Sequence, residues 1–182
     1  MARRSRRGFT LIELAIVVVI VGILSVIAVV GYRRYMLHSK ITEAQTMISA
    51  IRIAQEEHRA EKGIYANVGT NYCPAGAGVG NVKVGWHPAC SGGTSTWENL
   101  PVHADGPVLF TYATVASAAG DTATSAITAP TDANWVDFSS AVARPYYIVM
   151  AKCNLDLDSS TAPTQLVGSS FTNQIFSRNN GN

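Results

Sequence analysis

Acidic residues are missing from the first twelve positions, and charge of either sign is missing from Leu14 to Tyr32. The first absence leaves Arg3, Arg4, Arg6 and Arg7 uncompensated. The second leaves an almost unbroken run of Ala, Val, Ile and Leu, interrupted only by Gly22 and Ser25 before Val30. With Phe9 to Ile12 added, the run reaches about the 20 apolar residues that cross a bilayer's hydrocarbon core. Also lacking is any surplus of basic residues outside the start. The chain carries 14 Lys and Arg against 12 Asp and Glu, and setting aside those four arginines leaves 10 against 12, a balance of −2. Such a body has no general electrostatic footprint for nucleic acid.

Catalytic signatures are absent as well. His38, His58, His87 and His103 have no partner at metal or catalytic spacing, and no H-E-x-x-H, G-x-S-x-G or Cys-x-x-Cys is found. Gly76, Gly78 and Gly80 alternate with Ala and Val without completing a phosphate-binding pattern, so loop flexibility explains them better. Cys73, His87 and Cys90 fit no zinc-finger spacing. Asn154, Asp156 and Asp158 alternate in a way that offers oxygens to calcium, but no downstream Glu completes an EF-hand cage, and a polar turn is the better reading. The expectation is a non-enzyme without a cofactor. Trp86, Trp97 and Trp135 are read as core or loop anchors.

At 182 residues there is room for one modest domain and an N-terminal appendage. Arginines ahead of the apolar run place the start in the cytoplasm and the body outside, although Arg33 and Arg34 follow the run. Tyr32 and Tyr35 suit the membrane interface. The three cysteines, Cys73, Cys90 and Cys153, then fall on the oxidising side. A Cys73–Cys90 disulfide closes a short Gly-rich loop, worth roughly 3 kcal/mol. Pairing of either with Cys153 stays open on sequence alone.

Glu13 is the discordant residue. An ionisable group at the edge of a membrane helix costs free energy and is by default functional. A secretory signal peptide would end in a small-residue site after the run, and Ala28-Val29-Val30 is a poor one. A cut between Gly8 and Phe9 would instead release an amine four residues before Glu13. In this setting Gly8-Phe9-Thr10-Leu11-Ile12-Glu13-Leu14 resembles the processing site of type IV pilins and the related pseudopilins. The resemblance implies cleavage after Gly8 by a membrane-embedded prepilin peptidase, N-methylation of Phe9, and compensation of an adjacent subunit's terminal amine by Glu13. It departs from the family at Val30-Gly31, where many pilins have a helix-kinking proline.

Beyond the membrane segment, Ile41, Ala44, Ile48, Ile51, Gln55 and His58 recur at three- and four-residue steps, which predicts an amphipathic continuation of one helix from about Thr10 to Lys62. Gly63 supplies its stop. Residues 64 to about 101 read as a long connection. Strand patterns follow at Val108–Val115, Trp135–Phe138 and Tyr146–Ala151, with Gln174-Ile175-Phe176 as an edge-strand candidate and 178–182 as a frayed end.

The expected fold is α+β, a pilin fold in which a long N-terminal helix packs on an antiparallel sheet. Its parts are a leader at 1–8, a membrane and filament-core helix at 9–35, an amphipathic half at 36–62, a loop region with the disulfide at 63–101, and a sheet head with tail at 102–182. The resemblance implies a structural subunit that polymerises through its N-terminal helix into a pilus for adhesion, surface motility or DNA uptake. A pseudopilin of a type II secretion system, or a minor pilin, is the neighbouring alternative, and an anchored or secreted enzyme the distant one. The implied partners are further copies of the chain, the prepilin peptidase, the inner-membrane assembly platform with its ATPases, and the membrane before assembly.

Overall fold

A computed structural model describes residues 8–78, 82–87, 96–118, 120, 143–155 and 163–179. The chain divides into two compact units, Met1–His38 and Ser39–Asn182. A single helix, α1, runs Leu11–Lys62. It closes where the sequence predicts, with Gly63 in the left-handed region at φ 76° and its N–H on the Arg59 carbonyl at 2.8 Å.

In the first unit the apolar side chains of α1 are uncovered. Leu11, Ile12 and Leu14 through Val30 stand at 51–88% exposure wherever a large hydrophobic occurs. A water-soluble helix hydrophobic on every side would bury itself in a core; this one is long and apolar enough to cross a membrane.

In the second unit the same helix is one-sided. Ile41, Ala44, Ile48, Ile51 and Gln55 of the predicted stripe are buried, Met47 and Ala54 join them, and His58 is half-buried. Five strands form one sheet in chain order: β1 (Gly69–Cys73), β2 (Thr111–Ser117), β3 (Tyr146–Cys153), β4 (Thr164–Ser169) and β5 (Thr172–Arg178). Every neighbouring pair is antiparallel. The fold is therefore α+β, as the sequence indicates.

Helix and sheet meet closely at Gly168, where an added Cβ would lie 2.8 Å from Ile48 Cγ2. Gln55 is completely buried and fully used. Its amide nitrogen donates to the Ala66 carbonyl at 2.8 Å and to Thr114 Oγ1 at 3.1 Å, and its amide oxygen accepts from Ala66 N–H at 2.9 Å. Arg52 donates to the carbonyls of Thr172 and Asn173 and to the Asn173 side chain, which fastens the start of β5 to α1. Burial in β2 and β3 is continuous rather than alternating, so both faces of the central strands are covered. Ala113, Tyr146, Ile148, Met150 and Val167 make one such buried cluster.

Three strand expectations need correction. The 63–101 region holds β1 and a 3-10 turn at Thr96–Asn99 rather than loop alone. β2 starts at Thr111 because Val108 is occupied in a bridge to Val84 and Leu109 N–H is taken by Glu43 at 2.6 Å. β4 is not among the sequence expectations; Thr164–Ser169 is a strand through its ladder with β3. The edge-strand candidate at Gln174–Phe176 is β5 at the end of the sheet. Trp135–Phe138 and residues 180–182 lie outside the described residues.

Candidate functional site: the start of the helix

Gly8, Phe9 and Thr10 precede the first helical residue, Leu11. The Gly8–Phe9 peptide bond thus sits in non-helical chain. Phe9 is 88% exposed, and nothing lies within 4 Å of the place a Cβ on Gly8 would take.

Thr10 and Glu13 form a reciprocal cap. Glu13 N–H donates to Thr10 Oγ1 at 3.3 Å, and the Glu13 carboxylate accepts from Thr10 N–H at 2.9 Å and from the Thr10 hydroxyl at 2.7 Å. This satisfies two backbone donors that an α-helix start leaves open, and it places negative charge at the positive end of the helix dipole. The cap turns the carboxylate toward the chain that precedes the helix. It is the feature the sequence reading missed, although Thr10-x-x-Glu13 before an apolar run is its signature.

Farther along, the candidate side chains do not converge. Among the described residues no group of three or more His, Cys, Asp and Glu is placed to hold a metal ion. His58 contacts the Ile64 carbonyl through Nδ1 at 2.9 Å, closing the turn after α1. His103 lines an open cleft of about 470 Å³ with Glu43 and Asp105. Glu43 itself is engaged, with Lys83 Nζ at 3.0 Å and Leu109 N–H. Gly78, at φ 81°, is held by Leu109 and Asn154, and a Cβ there would meet the Lys152 carbonyl at 2.9 Å. Close packing, rather than phosphate binding, accounts for it. Trp86 and Trp97 meet edge to face at 5.1 Å, with Tyr112 at 6.1 Å from Trp86, which makes the first two the anchors expected of them. Asp156, Asp158, Gly80 and Trp135 lie outside the described residues.

Cys73 is disulfide-bonded and Cys153 is not. That excludes Cys153 from either pairing the sequence left open. Cys90 lies outside the described residues. Burial pushes the Cys153 thiol up to about 11, with the Glu43 carboxylate adding to the rise and Lys40 opposing it.

Comparison with known proteins fits this geometry. Residues 3–29 match the model of the prokaryotic N-terminal methylation motif, so the exposed Gly8–Phe9 bond, the cap and the membrane-length helix fall within one recognised class of N-terminus. The type IV major pilin protein PilA of Myxococcus xanthus is 46% identical over 61 residues, which are 34% of this chain and 28% of that protein. The type IV major pilin protein PilE of Neisseria gonorrhoeae is 36% identical over 66 residues, 36% of this chain and 40% of its own length. The type IV major fimbrial protein FimA of Dichelobacter nodosus is 36% identical over 80 residues, 44% and 48% respectively. The chain thus spans less than half the length of each of these relatives. No solved structure matches it. Motif and relatives together show that the N-terminal part of the chain is similar to that of type IV pilins.

Proposed function

We propose that this chain is a structural subunit of a type IV pilus, made as a membrane-anchored precursor and polymerised through α1. The observation that carries this reading is an exposed Gly8–Phe9 bond directly ahead of a Glu13-capped helix whose next seventeen residues bear no charge. Residues 1–8 form the leader that a prepilin peptidase removes, Phe9 becomes the methylated terminus, and the head lies on the periplasmic side. Cleavage discards four arginines and leaves an amine beside a carboxylate already turned toward it. In a filament the amine of one copy and Glu13 of its neighbour neutralise each other. An apolar core enforces that register, since an unpaired buried charge is heavily penalised. Cys73 pairs with Cys90 in the head, and no metal or cofactor is needed for assembly.

The relatives named above are pilus and fimbrial proteins, which supports a pilus over a secretion pseudopilin. Imaging the cell surface of a strain deleted for this chain tests the choice. Loss of long filaments, restored by the gene in trans, is expected. Intact filaments with failed protein export would overturn it.

A further inference from the structure

The apolar stretch of α1 ends in a short cluster of aromatic and basic residues to which the proposed cleavage and the Glu13 pairing assign no role. Tyr32, Arg33, Arg34 and Tyr35 follow Val30-Gly31 on the same helix. Tyr32 and Tyr35 are 64% and 70% exposed, and Arg33 is exposed as well. Between Glu13 and Glu43 there is no acidic residue at all. The sequence of that stretch therefore supplies no carboxylate to either arginine.

Spacing locates them. At about 1.5 Å per residue, Arg33 lies roughly 30 Å along the helix from Glu13, the thickness of a bilayer's hydrocarbon core. When the Glu13 end sits at one headgroup level, Arg33 and Arg34 fall at the other. The anions abundant at that level are lipid phosphates, which a guanidinium grips through two parallel hydrogen bonds. Tyrosines on either side of the pair are the side chains that settle at such an interface. A second copy of the chain standing at the same depth offers no carboxylate there, because its helix has none in that interval either.

We propose that Tyr32–Tyr35 is a headgroup site for anionic phospholipid on the face of the membrane opposite Glu13. It fixes the depth of the unassembled subunit. The inference rests on reading the Leu11–Val30 stretch as membrane-spanning.

The test uses the full chain in micelles doped equally with phosphatidylglycerol and phosphatidylethanolamine, with the lipids retained on the chain counted by native mass spectrometry. The leader arginines are common to all variants, so differences report on the pair alone. Wild type is expected to favour phosphatidylglycerol, Arg33→Gln/Arg34→Gln to lose roughly tenfold of that preference, and Arg33→Lys/Arg34→Lys to keep most of it. An unchanged lipid ratio in the Gln variant overturns the site while leaving the pilus reading intact. A cross-linked dimer that depends on Arg33 would instead assign the pair to a protein carboxylate and also overturn it. Failure of the wild-type chain to float with vesicles would sink the membrane reading itself.

Discussion

Gly168 occupies a position at which no other residue fits without movement. A methyl group there would stand 2.8 Å from Ile48 Cγ2, closer than side-chain carbons approach, and Arg52 Cδ lies 3.5 Å away on the same side. Gly168→Val is therefore expected to destabilise the head by about 1–3 kcal/mol, read as a lower urea midpoint, as overpacking does elsewhere. Cys153 and Tyr112 add a different residue-scale effect. Both are buried acids: the thiol rises from 9.0 to about 11 and the phenol rises well above its usual range, burial being the main cause for each. Their protons stay on in the folded chain at a pH where the unfolded chain has lost them. Unfolding then releases protons, so stability falls as pH climbs from about 9 toward 11. Cys153→Ala should flatten part of that decline in urea titrations; an unaltered slope would show that the thiol is not linked to folding. Tyr112 hydroxyl and Trp97 Nε1 are buried without a hydrogen-bond partner among the described residues. Tyr112→Phe is accordingly expected to be neutral or stabilising, because the unmet desolvation cost of the hydroxyl disappears.

At the scale of elements, α1 was the most legible part of the chain. Its hydrophobic run and its three- and four-residue stripe predict Thr10 to Lys62, and the helix spans Leu11–Lys62. Strands were legible only where β-branched and aromatic residues cluster, as in β2 and β3. β1, Gly-Thr-Asn-Tyr-Cys, has only Thr70 and Tyr72 of these, separated by Asn71 and opened by Gly69; it is a strand because it pairs with β2. The ladder pairs Val108 with Val84 instead of β3, a tertiary choice no local pattern records. At the candidate site, Gly8, Phe9 and Glu13 could be read from the motif, whereas the role of Thr10 came from its hydrogen bonds. Gln55 shows how the elements are joined: one side chain links α1 to the chain before β1 and to β2. Gln55→Leu leaves the Ala66 backbone groups buried without that partner, which should cost about 1–3 kcal/mol. Loss of amide-exchange protection at Ala66 would accompany it. Unchanged protection would mean the link contributes little.

For the whole molecule, the two units divide the work in a way that follows from composition. The described part of the first unit is a capped helix with an exposed apolar run, and the second is an α+β unit whose central strands are buried. Glu13→Ala is expected to leave cleavage at Gly8 intact and to lower the yield of sheared filaments by an order of magnitude or more, as loss of a buried charge partner of several kcal/mol implies. Wild-type filament yield from that variant would remove Glu13 from assembly. The most direct test of the central claim is mass spectrometry of this chain recovered from sheared surface filaments. A chain that begins at a methylated Phe9 is the predicted result. A filament-borne chain that begins anywhere else, or filaments that do not contain the chain, would contradict the account.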